Sequence, residues 1–294
     1  MRDARYDIGD VIGRGGCATV YEAFDRLAMR HVALKVLDDP DPIALKRLER
    51  EARSVRAISH PNVCPMLDQG RLDDGQAYVA MELLHGETLR SYLKERGQLE
   101  PDEAIEIAVQ MLAGLEAAHA LGVVHRDVKP ENVFLEWQDT GHVCVKLLDF
   151  GICRRVGDRL DEKTLTLTGC VVGTPGYFAP EQAFGERGVD PRTDLFSVGL
   201  VLYEAITGSP AFGNTDTTQL AVQLTRRLPS IRSLTSRALD RVIAMATEPN
   251  ARSRYACAAK FQHELLEART SLRRENMQRS GTVRVPGAPR RHVA

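Results

Sequence analysis

Two short polar segments constrain this chain more than any other feature. The first is His125-Arg126-Asp127-Val128-Lys129-Pro130-Glu131-Asn132, and the second, after a short intervening stretch, is Asp149-Phe150-Gly151. Mg²⁺ prefers hard oxygen ligands and usually keeps waters and substrate phosphates in its shell, so Asn132 and Asp149 suit a phosphate-bound metal. Asp127 is a separate carboxylate that can accept a proton from a hydroxyl nucleophile.

A glycine-rich turn near the N-terminus supplies a second element suited to phosphate. Gly13-Arg14-Gly15-Gly16 lies between two predicted strands, and glycines let backbone N–H groups approach phosphates closely. A later predicted strand, His31 to Leu37, is apolar apart from one lysine, Lys35, and a buried lysine is costly unless it is paired. We interpret Lys35 as a phosphate ligand. The alternative is a lysine at a strand edge that reaches solvent.

Periodicity divides the rest of the chain into a strand-rich part and a helical part. The strand-rich part covers about residues 6–84 and includes one helix predicted over 42–58. The helical part runs on to about residue 266. Its predicted helix starts are Thr88, Pro101 and Asp194.

The C-terminal residues differ in composition from the rest. Residues 269–294 hold seven arginines and one acid, together with several glycines and prolines. We therefore predict a folded domain over 6–267 and a basic, disordered tail over 268–294.

Overall composition narrows the classes of function. The formal net charge of -1 argues against a general nucleic-acid or membrane-surface binder. No apolar run reaches the roughly 18 residues of a membrane span. The six cysteines lack metal-ligand spacing, so reduced thiols in a cytoplasmic protein are expected, including those of Cys17, Cys153 and Cys170.

Taken in order, these motifs resemble the eukaryotic-type protein kinase family, and specifically its bacterial serine/threonine branch. The resemblance covers about residues 6–267. Besides the segments above, it rests on the strand Val32-Ala33-Leu34-Lys35, the stretch Met81-Glu82-Leu83-Leu84, Gly173-Thr174-Pro175, Ala179-Pro180-Glu181 and Asp194.

The resemblance implies an α+β, bilobal protein kinase fold. The small lobe, about residues 6–84, would be a five-stranded antiparallel sheet plus one helix. The large lobe, about residues 85–267, would be mainly α-helical, and ATP would lie between the two lobes. The expected activity is transfer of the γ-phosphoryl group of ATP to protein hydroxyls.

The resemblance also assigns site residues. The implied catalytic residues are Asp127, Lys129, Asn132, Lys35 and Glu51. The implied ATP-binding residues are Ile12, Gly13, Gly15, Gly16, Val20, Ala33, Lys35, Met81, Glu82, Leu84 and Phe134. Asn132 and Asp149 would hold Mg²⁺, with Mn²⁺ as an alternative. Lys129, and Thr174 before Pro175, are typical of serine/threonine kinases. Glu51 is chosen to orient Lys35 by resemblance alone, because helical phase leaves Glu49 open as well.

Further expectations concern support and regulation. Asp194 would brace the catalytic loop, and Glu181 would pair with either Arg252 or Arg254. The stretch 136–145 is expected to form a longer surface hairpin. Because an arginine directly precedes Asp127, we expect activation by phosphorylation of the loop that follows Gly151. The candidate sites are Thr164, Thr166 and Thr168.

The expected partners are protein substrates and, for autophosphorylation in trans, a second copy of the chain. No nucleic acid and no membrane span are expected. The chain would be cytoplasmic, either soluble or as the cytoplasmic fragment of a membrane-anchored kinase. A kinase-like scaffold with little or no catalysis is the alternative, although such proteins usually lose residues equivalent to Lys35, Asp127 or Asp149.

Overall fold

A five-stranded antiparallel sheet forms the N-terminal part of the protein. The computed structural model describes residues 3–15, 18–38, 54–138, 140–150, 175–185, 189–213 and 222–281. The strands are β1 (Tyr6–Arg14), β2 (Ala18–Asp25), β3 (Arg30–Leu37), β4 (Met66–Arg71) and β5 (Ala77–Glu82). They pair in the order β1-β2-β3-β5-β4. The predicted five-stranded sheet is thus confirmed. Most of the helix expected at 42–58 lies outside the described residues. Within the described part of that range, residues 54–56 are helical.

Strand β3 explains why the sheet holds together and how it presents a lysine. Side chains of successive strand residues point to opposite faces. Val32, Leu34 and Val36 are buried together with Tyr6 and Tyr78 in an apolar cluster. Ala33 and Lys35 therefore lie on the other face of the same strand. Lys35 is the one charged side chain in the interior of β3, and it lies on the face opposite the apolar cluster.

A second, three-stranded sheet adjoins the two polar segments of the sequence. Its strands are β6 (Gly86–Thr88), β7 (Val133–Trp137) and β8 (Val143–Leu147), in that order. Strands β7 and β8 form the expected hairpin, with Glu136 opposite Cys144. The Cys64 N–H donates to the Leu147 carbonyl, and the Leu147 N–H donates to the Asn62 carbonyl, both at 2.9 Å. The chain just before β4 is thereby fixed to the strand that precedes Asp149.

The remaining described residues are mainly helical. The helices are α1 (Leu89–Arg96), α2 (Pro101–Ala120), α3 (Pro180–Ala183), α4 (Arg192–Thr207), α5 (Arg237–Ala246) and α6 (Ala258–Gly281). Thr88 caps α1 by accepting a hydrogen bond from the Ser91 N–H, and Pro101 occupies the first turn of α2. The predicted start at Asp194 falls two residues inside α4. This mixture of sheet and helical parts agrees with the α+β architecture expected from the sequence.

Helix α4 is the central element of the helical part. It is buried along nearly its whole length, and most of its residues from Leu195 to Ile206 are apolar. A Cβ atom at Gly199 would lie 2.7 Å from the Thr247 side chain, so glycine permits the close packing of α4 against the end of α5. The buried polar residues of α4, among them Asp194 and Glu204, are therefore fixed in the middle of the domain.

The last helix extends beyond the domain boundary expected at residue 267. The apolar spacing continues, because Phe261, Leu265, Ala268 and Leu272 are all buried. Arginines of this stretch bond to α2 instead of extending into solvent: Arg269 and Arg273 both pair with Asp102. The structure therefore differs from the predicted disordered tail over 268–281. Residues 282–294 lie outside the described residues.

Two acids of α2 receive these arginines. Arg269 donates to Asp102 at 2.9 Å and to Glu106 at 2.6 Å, and Arg273 donates to Asp102 at 2.7 Å. Hydrogen bonds from Arg273 and Arg269 hold the pKa of Asp102 well below its usual range.

Among the described helices, none is both long and apolar enough to cross a membrane.

Candidate active site

The loop between α2 and β7 positions Asp127. Its carboxylate oxygen Oδ2 accepts hydrogen bonds from the Lys129 ammonium and from the Asn132 amide nitrogen, both at 2.9 Å. The same amide nitrogen also donates to the Asp127 carbonyl at 2.8 Å. A short 3₁₀ turn, Pro130–Asn132, brings Asn132 back to Asp127. These contacts within the loop therefore fix the orientation of the carboxylate.

A buried carboxylate holds this loop from below. Asp194 is fully buried, and its two oxygens accept hydrogen bonds from the backbone N–H groups of His125, at 2.8 Å, and Arg126, at 2.7 Å. The His119 Nε2 atom lies 2.8 Å from the same carboxylate. A buried charge is tolerated only when hydrogen bonds satisfy it. The expected bracing of the loop by Asp194 is thus present.

Backbone conformation marks the same region as strained. Arg126 has φ 65° and Asp149 has φ 51°, so both lie in the left-handed region. This region costs free energy for residues with a side chain, and such residues cluster at functional sites. The N–H groups of His125 and Arg126 donate to Asp194, and the Gln182 side chain donates to the Arg126 carbonyl at 2.9 Å, so that the loop is held in place.

His125 connects the two polar segments of the sequence. Its Nε2 atom lies 2.8 Å from the Leu148 carbonyl, immediately before Asp149. Its ring packs against Phe150 with ring centroids 4.5 Å apart. The loop of Asp127 and the segment of Asp149, which are far apart in sequence, are thereby fixed to each other.

Lys35 forms an ion pair with Asp149. The ammonium nitrogen lies 2.7 Å from the Asp149 carboxylate, and the lysine side chain is only 11% exposed. Burial favours the neutral acid, but the nearby Lys35 charge and its hydrogen bond hold the pKa of Asp149 below its usual range. The strand lysine is therefore neither at a solvent-exposed edge nor remote from the site. The pairing of Lys35 with Asp149 was not predicted from the sequence.

Residues that the resemblance assigns to ATP binding lie on strands of both sheets. On β3, Ala33 stands opposite Met81 of β5, and Lys35 stands opposite Val20 of β2. Phe134 is on β7. Ile12, on β1, is an exposed apolar side chain, with 49% of its surface accessible.

Some backbone groups of the glycine-rich turn and of the stretch Met81-Glu82-Leu83-Leu84 form hydrogen bonds within the chain. The Gly15 N–H donates to the Ala18 carbonyl at 2.8 Å, which closes the described part of the turn next to Gly13. The Glu82 N–H donates to the Pro65 carbonyl at 3.1 Å. Glu82 can therefore offer its carbonyl, but not its N–H, to a ligand, whereas Leu84 follows the end of β5.

An ion pair joins Glu181 of α3 to Arg254, which lies between α5 and α6. Arg254 donates to both carboxylate oxygens of Glu181, at 2.7 and 2.9 Å, and its side chain is fully buried. Burial works to raise the pKa of Glu181, but the bonds and charge of Arg254 hold it below its usual range. Of the two arginines that the sequence left open, Arg254 is thus the partner of Glu181, and Arg252 is not.

A four-residue cluster beside the catalytic loop was missed by sequence reasoning. Arg90 of α1 bonds Glu131, at 2.8 Å, and Glu204 of α4, at 2.6 Å. It also donates to the Tyr177 hydroxyl at 2.5 Å, and that hydroxyl donates to Glu204. The one available signal was the presence of Glu204 within the largely apolar stretch Leu195 to Ile206.

Several sequence predictions fall outside the described residues. They concern Gly16, Cys17, Glu51, Gly151, Cys153, Thr164, Thr166, Thr168, Cys170 and Thr174. The orientation of Lys35 by Glu51 and the loop phosphorylation sites therefore stay predictions.

Comparisons with known proteins give the family of this chain. The profile of the protein kinase domain family matches residues 6–278. The serine/threonine-protein kinase PknB of Mycobacterium leprae is 36% identical over 272 residues, which cover 89% of this chain and 42% of that protein. A probable serine/threonine-protein kinase of Streptomyces coelicolor is 41% identical over 236 residues, which cover 78% of this chain and 34% of that protein.

A probable PknB of Lactococcus lactis is 35% identical over 283 residues, which cover 94% of this chain and 43% of the relative. The chain thus matches less than half the length of each of these relatives. Its match to the family profile, in contrast, extends over most of its own sequence and ends within α6. This chain belongs to the eukaryotic-type protein kinase family, in its bacterial serine/threonine branch.

Proposed function

We propose that this chain is an ATP- and Mg²⁺-dependent serine/threonine protein kinase. The observation that carries the proposal is the arrangement of Asp127, whose carboxylate is held by Lys129 and Asn132 on a loop fixed to Asp194. Phosphoryl transfer depends mainly on positioning and charge stabilisation, so a carboxylate held in advance suits this chemistry. Asp127 accepts the proton of the substrate hydroxyl.

The donors of the site fit a divalent cation. Asn132 uses its amide nitrogen inside the loop, which leaves its amide oxygen to ligate a cation. Asp149 adds an ionised carboxylate, because its pKa is held below the usual range beside Lys35. Two hard oxygens with room for phosphates and water match the preference of Mg²⁺. A cation held by Asn132 and Asp149 would neutralise charge that develops on the transferred phosphoryl group.

Lys35 has a second role in this proposal. Its ammonium balances the charge of Asp149 across 2.7 Å. With nucleotide bound, Lys35 holds the α- and β-phosphates and Glu51 orients its side chain. Ile12, Gly13, Gly15, Gly16, Val20, Ala33, Met81, Glu82, Leu84 and Phe134 form the adenine and phosphate cleft.

The choice of serine and threonine as acceptors rests on Lys129. Its ammonium lies 2.9 Å from the carboxylate that receives the proton, so it can also contact the transferred phosphoryl group. Activation by phosphorylation at Thr164, Thr166 or Thr168, carried out in trans by a second copy, completes the proposal. Protein substrates and a cytoplasmic site of action are part of it.

The test uses the purified chain with γ-labelled ATP and a general protein substrate, with and without EDTA. We expect metal-dependent label in protein, recovered as phosphoserine or phosphothreonine after acid hydrolysis. Dominant phosphotyrosine would overturn the acceptor assignment. ATP binding without any transfer would instead support the alternative of a kinase-like scaffold.

A further inference from the structure

The cluster around Arg90 joins the catalytic loop to the segment that precedes α3. Glu131 belongs to the same short run of sequence as Asp127, and Tyr177 lies just before Ala179-Pro180-Glu181. Arg90 bonds both Glu131 and Tyr177, while Gln182 bonds the carbonyl of Arg126. The cluster therefore lies at the edge of the surface on which, in the proposed function, a peptide presents its hydroxyl to Asp127.

The inner part of the cluster is buried and its outer part is open. The Glu204 side chain is 4% exposed, whereas those of Arg90 and Glu131 are 32% and 37% exposed. Arg90 therefore reaches from solvent toward a buried acid and passes a second acid on the way. A guanidinium from outside the chain could take the same path, because its planar fork suits two carboxylates.

Charge within the cluster is not fully balanced. One arginine faces two glutamates, and oxygen Oε2 of Glu131 has no hydrogen-bond partner within the described part of the chain. Without Arg90, the same place would hold two carboxylates and the Tyr177 hydroxyl, which is a binding site for a cation. With Arg90 present, a second arginine would meet a like charge at the same acids.

We propose that Arg90 occupies, from within the chain, a subsite that would otherwise bind an arginine of the substrate. Arg90 is then a specificity-determining residue, and it removes a requirement for basic peptides. This inference rests on the proposed function, because it needs a peptide beside Asp127. The competing explanation is that Arg90 serves only to neutralise buried Glu204.

Removal of Arg90 alone leaves Glu204 buried without its cation, which destabilises the fold. The test therefore uses Arg90→Ala combined with Glu204→Gln, since glutamine keeps an acceptor for the Tyr177 hydroxyl. Glu204→Gln alone is the matched control. A third variant adds Glu131→Gln to the pair, so that no carboxylate of the cluster remains.

Each protein is assayed on alanine-based peptides that carry one acceptor serine or threonine and a single arginine moved through the flanking positions. Wild type should show nearly equal kcat/KM for all peptides. The Arg90→Ala/Glu204→Gln variant should favour arginine at one or two positions by about tenfold or more, the range expected for one charge-assisted pair. The triple variant should lose this preference, and Glu204→Gln alone should resemble wild type.

Melting temperatures are measured on the same samples, since a purely structural role moves stability but not the choice of peptide. A folded, active Arg90→Ala/Glu204→Gln variant with the wild-type profile would overturn this inference alone. A gain that persists in the triple variant would also overturn it, because Glu131 would then not be the receiving acid. A wild-type chain that phosphorylates no peptide or protein would overturn the proposed function and this inference together.

Discussion

Replacing Glu181 with alanine tests whether the buried ion pair at the end of the domain stabilises the fold. Arg254 donates to both oxygens of Glu181, and its side chain is fully buried. It also donates to the carbonyls of Glu248 and Pro249, at 2.7 and 2.9 Å. After the substitution, these carbonyls still accept hydrogen bonds, but the buried positive charge has lost its counter-ion.

Breaking a buried pair by removing one partner typically costs about 3–5 kcal/mol. At about 2 °C per kcal/mol for a large domain, the melting temperature of Glu181→Ala should fall by about 6–10 °C. Differential scanning fluorimetry at neutral pH measures this shift. Lys260→Ala is the control, because its pair with Glu264 is exposed and should leave the melting temperature nearly unchanged.

The same pair predicts a dependence on pH. The pKa of Glu181 is lowered in the folded protein, so its contribution is present above the unfolded pKa of about 4.3 and is lost as pH falls through the folded value. The stability difference between wild type and Glu181→Ala should therefore shrink in acid. A shift below about 2 °C at neutral pH, or a difference that grows toward low pH, would refute this reasoning.

Three further predictions concern the loop brace, the last helix and the activation loop. Asp194→Ala leaves two backbone N–H groups without their acceptor. It should lower the melting temperature, measured by calorimetry, and it should lower kcat by a larger factor than it lowers ATP affinity, as kinetics can show. Asp102→Asn weakens the bonds from Arg269 and Arg273. It should speed hydrogen exchange over 268–278 while exchange in α4 stays unchanged, and equal protection in both proteins would contradict this. Replacing Thr166 and Thr168 with alanine should lower turnover and abolish its sensitivity to phosphatase, whereas equal activity before and after phosphatase in both proteins would exclude the switch.

Local motifs allowed the sequence to predict the fold class and the residues that meet at the loop. His125 to Asn132 and Asp149 are recognisable because their spacing along the chain is short and fixed by the chemistry. The strand of Lys35 is recognisable because a single cation interrupts an apolar run. These signals need no knowledge of the tertiary structure.

Interactions between distant segments could not be predicted in the same way. The sequence leaves the partner of Glu181 open because Arg252 and Arg254 are separated only by Ser253. The choice between them depends on tertiary contacts, since Arg254 packs against the Phe196 ring and donates to nearby carbonyls. The cluster of Arg90 joins residues of α1, the catalytic loop and α4. No periodicity within one segment reports such a meeting.

The extent of the last helix was underestimated for a related reason. The seven arginines of 269–294 predict a solvated tail, whereas the helical spacing of buried apolar residues continues to Leu272. Arg269 stabilises the helix because Asp102 and Glu106 face it from α2. Composition alone cannot distinguish such paired arginines from solvated ones.

The most direct test of the central claim is single-turnover phosphoryl transfer by Asp127→Asn, with ATP binding measured on the same sample. Asparagine keeps the shape of the side chain but cannot accept the proton. We predict nearly unchanged ATP affinity and a transfer rate lowered by about 10²–10⁴-fold, the usual contribution of a general base. Wild-type turnover by Asp127→Asn would contradict the assignment of Asp127 as the proton acceptor, and with it the proposed mechanism.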